Sequence, residues 1–439
     1  MCKPARILSA MFQGGGNIPL LMPVMARLVD RGHAVRIMAG PGVRRSRLPV
    51  SAEFLHRISS SGATLVPLRQ PDPNPFDVAP YAKGMIGRWV PPGFQAAPAE
   101  AQTAVWASAW AKNVAEELRA ARTDLVVADF VLLGALAAAE ASDTPAVALM
   151  HTVTPRPLAG VPPYGPGWMP GLGLCDRVRD AIGHACIEYL HRRNALRPLN
   201  SARASLGLPP LRSPFQQCDK AARVLMLVSP AFDHLASRLP DNVRYVGTPI
   251  EDADFPGWRP RWDSHDRRPL VLVSLSTLNQ GQASLMRRIL VAMAGVEARV
   301  LVTLGPALDP TDFPAPPNVH LERFVPHSAV LPHTAAMVTQ CGLGTLAKAL
   351  AHGVPLLCIP LVGDQPENAA RVFARGAGLR LRSEALPQEI STALRRLLTE
   401  PQFREGASAL AGALTREPDA IQRAVQEIEA VLSTAARKR

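Results

Sequence analysis

The chain has 439 residues, 47% hydrophobic and 19% charged, with 43 prolines and 31 glycines. This composition excludes extended disorder, and the length exceeds what one core fills, so two α/β domains with a cleft between them are expected. The net charge of +12 comes from basic residues spread thinly and without interleaved aromatics, which argues against a nucleic-acid partner.

The N-terminal MCKPARILSAMF has a short apolar run but reaches GGGN at once, without the longer apolar segment and cleavage site of a secretory signal. No later stretch is long and charge-free enough to span a bilayer, so a cytoplasmic protein is expected. The first eighty residues read as strand ARILSAMF, a Gly-rich turn at Gly14 to Gly16, a helix over IPLLMPVMARLVDRG, strand HAVRIMAG, a helix near SAEFLHRISSSG and strand ATLVPL. The apolar period switches between strand and helix where a doubly wound parallel sheet needs it to. After a Pro-rich stretch come helix AEELRAARTD, strand LVVADFVLL, helix GALAAAEASD and strand PAVALMH. Residues 155–172 are crowded with Pro and Gly and hold Tyr164 and Trp168, which predicts a long loop of the functional or disordered kind. Helical segments follow to about Ser213, then strand RVLMLVSP.

The Pro-, Asp-, Arg- and Trp-rich run at 246–268 reads as an interdomain linker between a first domain at 1–245 and a second at 269–439. The second domain runs through strand LVLVSLST, helix QASLMRRILVAMAGV, strands ARVLVTLG and VHLERFV, a short helix at SAVLPHT, strand AAMVTQ, helix GTLAKALAHG, strand PLLCIPL and helix QPENAARVFARG. Closing helices run from EISTALRRLLTE to AIQRAVQEIEAVLS and can pack back on the first domain. Cys2, Cys175, Cys186, Cys218, Cys341 and Cys358 are scattered without CxxC spacing, so neither disulfides nor structural zinc are expected. A homodimer is compatible with this organisation.

The sharpest chemical signal opens at Glu322 and closes on DQPENAARV. TQCGLGT (Thr339 to Thr345) sits between a predicted strand and a predicted helix. Small residues there let the backbone N–H groups of the helix N-terminus approach a diphosphate, whose charge the helix dipole favours. Asp364 and Gln365 follow the next strand at the same sheet edge, where a carboxylate beside an amide can bond sugar hydroxyls. Taken singly, the Gly pair is more often packing or capping than phosphate binding, and an Asp-Gln pair carries less still.

In this order and spacing the segment resembles the donor-binding signature of the nucleotide-sugar glycosyltransferases that include plant natural-product glucosyltransferases and bacterial antibiotic glycosyltransferases. The pattern Pro, His, Gly, Gly/Ser-Thr, AL, GVP, DQ and NAxRV is matched over nearly the whole segment. GGGNIPLLMPVMARLVDRGHAV is similar to the family's opening GHxxPxLxLAxxLxxRGHxV. The resemblance implies a GT-B fold of two Rossmann-like doubly wound domains, the first binding acceptor and the second binding a UDP- or dTDP-sugar. It implies that Gly342, Gly344 and Thr345 cradle the diphosphate, that Phe324 and Val325 meet the base, and that Asp364 and Gln365 hold the sugar. Ser276 and Thr277 are placed to face the phosphates from the other loop. No metal is implied, the nucleotide sugar being a co-substrate and not a cofactor. The implied reaction is inverting transfer to a small apolar acceptor such as a bacterial secondary metabolite.

Three positions depart from the family. Gln340 stands for the His before the Gly-rich turn, so leaving-group stabilisation is weaker or borrowed from His327 or His333. Lys348 stands where plant members place a ribose-binding Glu. Asn17 stands for the catalytic His of the opening GH, and an amide takes no proton at neutral pH. Asp129, at the end of LVVAD, matches the Asp of the family's His-Asp dyad. Three routes are open: Asp129 itself as base, an acceptor acidic enough to need none, or another base such as His151. The plainer readings are a strand-end His151, a turn-capping Asp129 and an Asn17 that caps the helix at Ile18. Two other functions fit the same fold, a silent homologue that activates a partner transferase and a sugar-nucleotide epimerase.

Overall fold

The apolar hexamer RILSAM forms β1 (Arg6–Met11), buried along nearly its whole length as a parallel strand covered on both faces has to be. The structure, a computed structural model, describes residues 3–12, 16–39, 52–68, 106–171, 173–250, 265–275 and 280–438. After β1 the first half runs α1 (Ile18–Asp30), β2 (Ala34–Ala39), α2 (Ala52–Ser60), β3 (Thr64–Val66), α3 (Ala107–Ala120), β4 (Leu125–Asp129), α4 (Leu133–Ala141) and β5 (Ala146–Met150). It continues with α5 (Leu174–His191), α6 (Arg197–Ser205), β6 (Arg223–Met226) and β7 (Val243–Tyr245). These strands form one parallel sheet ordered β3-β2-β1-β4-β5-β6-β7.

The second half repeats the plan with β8 (Leu270–Ser274), α7 (Ala283–Met293), β9 (Arg299–Thr303), β10 (Val319–Glu322), β11 (Thr334–Thr339), α8 (Leu343–Ala351), β12 (Leu356–Cys358), α9 (Gln365–Ala374) and β13 (Gly378–Arg380). Its sheet is also parallel, ordered β10-β9-β8-β11-β12-β13. Strand order reverses between β1 and β4 and again between β8 and β11, and the crevices beyond the carboxyl ends at those points are where such sheets bind ligands.

Three elements differ from the sequence expectation. The predicted helix AEELRAARTD begins earlier, at Ala107, and ends at Ala120, because Asp124 instead receives the backbone and guanidinium of Arg6 at 2.8 and 2.9 Å and leads into β4. The three-residue strands β7 and β13 carry too little periodicity to be read locally. Residues 155–171 form neither helix nor strand. Of the run read as a linker, 251–264 lie outside the described residues.

After α10 (Pro387–Thr399) and α11 (Pro401–Thr415), α12 (Ala420–Lys438) returns to the first half, packing on α1 and β6. Its Glu429 pairs with Arg31 at 2.9 Å and meets His33 at 3.3 Å, and Arg423 donates to the Tyr245 carbonyl at 2.8 Å. Closer to the first core, Ala-rich α4 lies against α3 so tightly that a Cβ on Gly134 would sit 1.9 Å from the Ala107 carbonyl oxygen. Gly134→Ala is therefore expected to destabilise by about 1–3 kcal/mol, read as a lowered melting temperature.

Candidate active site

The β1/β4 switch point gathers Asn17, Asp129 and His151. Strand β4 ends on Asp129, whose carboxylate is buried and fully engaged. Asn17 Nδ2 donates to its Oδ2 at 2.8 Å, while Val131 N donates to Oδ1 and His151 Nε2 meets Oδ1, both at 3.2 Å. Asn17 opens α1 but makes no side-chain cap. Its carbonyl accepts Leu20 N and Leu21 N, and its amide turns to Asp129. The capping reading of Asn17 is thus replaced by a bridge to Asp129, while Asp129 does brace the turn after its strand.

His151 directly follows β5, the strand beside β4, and its side chain is 18% exposed against 0% for Asp129. Burial alone would lower its pKa, but the Asp129 charge and hydrogen bond, together with the charge of Asp364, raise it above the ordinary imidazole value. A carboxylate only accepts, so Nε2 carries the proton toward Asp129, and in the neutral imidazole the lone pair falls on Nδ1.

Asp364 comes from the other half, at the start of α9. Burial raises its pKa, opposed by the Asn368 and Thr152 side chains and by His151. Asn368 Nδ2 holds Asp364 Oδ2 and the Cys341 carbonyl, each at 2.9 Å, tying the α9 start to the Gly-rich turn. Gln365, read as a sugar ligand, is buried and braces its own loop: Oε1 accepts Leu361 N at 2.8 Å and Val362 N at 3.1 Å, and Nε2 donates to Gln280 at 3.0 Å.

Gly342 to Thr345 form the N-terminus of α8, after a Cys341 held at φ 70°. A Cβ on Gly344 would lie 3.9 Å from Gly16 O and from Leu20 Cδ2, so the N-termini of α8 and α1 face each other across the cleft. Gln340 lies buried in that turn, its amide oxygen without a partner among the described residues. Phe324 is 55% exposed, whereas Val325 is buried in the core. His327 opens the short turn packed on α8, and burial lowers its pKa to about 4, leaving it neutral. Ser276 and Thr277 lie outside the described residues.

An apolar cavity adjoins the His151 pair. Phe130 stands edge-on to His151 at 5.1 Å between ring centroids and also lines this cavity with Met150, Pro155, Leu158, Phe215 and Met226. Sequence reasoning missed Thr152, Asn368 and Glu367, none of which carries a local signal beyond its place in the DQPEN run or after β5.

Residues 287–431 match the family described as erythromycin biosynthesis protein CIII-like, C-terminal domain. The 4'-demethylrebeccamycin synthase of Lentzea aerocolonigenes is 30% identical over 445 residues, covering 98% of this chain and 100% of that protein. Among solved structures, the calicheamicin glycosyltransferase CalG4 superposes with a TM-score of 0.70 at 23% identity, covering 99% of this chain and 100% of that one. The spinosyn rhamnosyltransferase SpnG complexed with thymidine diphosphate gives 0.65 at 20% identity, covering 95% and 98%. The fold is GT-B, and the chain belongs to the nucleotide-sugar glycosyltransferases of antibiotic biosynthesis. It is a glycosyltransferase, as the donor-segment resemblance implied. No helix of the described residues is long and apolar enough to cross a membrane.

Proposed function

We propose that this enzyme moves a sugar from a UDP- or dTDP-sugar to a small apolar acceptor with inversion, and that the His151–Asp129 pair takes the acceptor proton. The observation that carries this reading is the chain Asn17–Asp129–His151, facing Asp364 of the donor half. Asn17 and Val131 hold the carboxylate, the carboxylate orients the imidazole, and Nδ1 removes the hydroxyl proton as the acceptor oxygen attacks the anomeric carbon. The bond from that carbon to the diphosphate oxygen breaks on the opposite face, and the departing charge meets the N-termini of α8 and α1. Asp364 holds the sugar, Phe324 offers a face to the base, and the acceptor's apolar body lies toward the Phe130–Met150 cavity. Helix termini serve the leaving group in this scheme, so it invokes no metal ion.

The test is incubation of the protein with a panel of UDP- and dTDP-sugars and polycyclic or macrolide acceptors, read by mass spectrometry. A product heavier by one sugar supports transfer. Donors that bind by thermal shift, with no turnover on any acceptor, would instead point to the silent-partner reading. Free nucleotide formed without acceptor would favour an epimerase.

The proposal also sets a pH dependence. His151 works as a base only when unprotonated, and its pKa is raised, so kcat/KM is expected to fall on acidification from above the ordinary imidazole range. A pH profile with no acid limb near or above neutrality would remove His151 from this role.

A further inference from the structure

Between β5 and α5 the chain crosses the cleft edge as a loop, and the donor half grips it. Glu367, in the first turn of α9 and only 2% exposed, accepts the backbone N–H of Gly165 at 3.0 Å and of Gly167 at 2.7 Å, both on Oε1. Its other oxygen, Oε2, meets Arg371 at 3.2 Å, and Arg371 in turn donates to Asp233 of the first half at 2.7 Å. Arg380, at the end of β13, donates to the Gly167 carbonyl. The approach is too close for any side chain at 167: a Cβ there would lie 2.4 Å from the Pro366 carbonyl oxygen, and the residue sits at φ 62°. On its other side the loop rests on α5, where a Cβ on Gly183 would lie 2.4 Å from Pro163. Asp364, Pro366 and Glu367 thus occupy a single helix start, the first near enough for its charge to act on His151 and the other two against the loop.

We infer that Glu367 is a positioning residue that fixes the 161–171 loop as the acceptor-side wall, in register with the sugar-holding Asp364. Two backbone N–H groups on one buried carboxylate oxygen set the loop's height over the cleft, and α9 is the rigid piece common to loop and sugar. The clamp specifies where the acceptor lies, not how the donor binds. This inference rests on the transfer reading above.

The experiment compares Glu367→Ala, Glu367→Gln and Gly167→Ala with wild type in transfer assays and in hydrogen–deuterium exchange without substrates. Glu367→Ala and Gly167→Ala disturb the contact from its two sides, the second without altering a charge. Both are expected to raise the acceptor KM roughly tenfold or more while the donor KM stays within about twofold, since small misplacements at a reacting pair are costly. Amides in 161–171 should exchange faster in both. Glu367→Gln keeps a carbonyl oxygen for the two N–H groups and should restore the acceptor KM. Equal changes in both KM values, no change in either, or no rescue by Gln overturns the inference. If the wild-type enzyme transfers no sugar, the functional reading fails, and exchange in 161–171 still decides whether Glu367 holds the loop: unchanged exchange in Glu367→Ala overturns it.

Discussion

Replacing His151 by Ala is expected to slow sugar transfer on the order of a thousandfold while leaving donor binding in place, in the range a positioned general base supplies. The reasoning begins with Asp129. Both its oxygens are occupied and its side chain has no exposure, so it cannot meet an acceptor hydroxyl directly. Its neighbour on the next strand can. His151 is partly exposed and packs edge-on against Phe130, which lines an apolar cavity, and with Nε2 donating to Asp129 the neutral imidazole keeps its lone pair on Nδ1. Asp129→Asn should also lose most of the rate, because an amide can present its NH2 to Nε2 and stabilise the wrong tautomer. Single-turnover transfer rates and nucleotide binding by calorimetry separate the chemical step from donor affinity. Full activity in His151→Ala would place the base elsewhere or show that the acceptor needs none.

Arg371→Met is expected to destabilise the protein by about 3–5 kcal/mol, because it strands two buried carboxylates. Arg371 lies between Asp233 at 2.7 Å and Glu367 at 3.2 Å, with all three side chains no more than 6% exposed. Tyr245 adds a hydrogen bond to Asp233 at 2.7 Å, and Arg375 donates to the Ala231 and Asp233 carbonyls. The cluster joins the loop after β6 to α9, so its loss loosens the contact between halves as well as one core. The loss should appear as a melting temperature lower by roughly ten degrees. Acid gives a check on the cause. Burial raises the Glu367 pKa even with Arg371 present, so the folded state binds its proton more tightly than the unfolded chain does. Stability linked to such a group rises as pH falls, and the deficit of Arg371→Met should shrink between neutral and mildly acidic pH. A deficit that does not vary with pH would assign the loss to packing.

Much of the second half was legible from local sequence. Helix N-termini preceded by glycines, the DQPENAARV run and apolar strands buried on both faces are short-range patterns, and α8, α9 and their flanking strands lie where those patterns place them. Gln365 shows the limit of such patterns, since its amide is committed to Leu361, Val362 and Gln280. Val325 likewise sits in the core, beside an exposed Phe324.

The sequence by itself determined the two-sheet α/β plan, the glycosyltransferase family and the Gly-rich turn that opens α8, because each is written in residues a few positions apart. The tertiary structure alone decided which polar groups meet at the sheet edge and which hold the loop. Asn17, Asp129 and His151 meet because β1, β4 and β5 are neighbours in the sheet, and Glu367 reaches Gly165 and Gly167 only because the two halves dock. Strand order and docking are set by burial summed over whole sheets, and no residue near those positions in the chain encodes them.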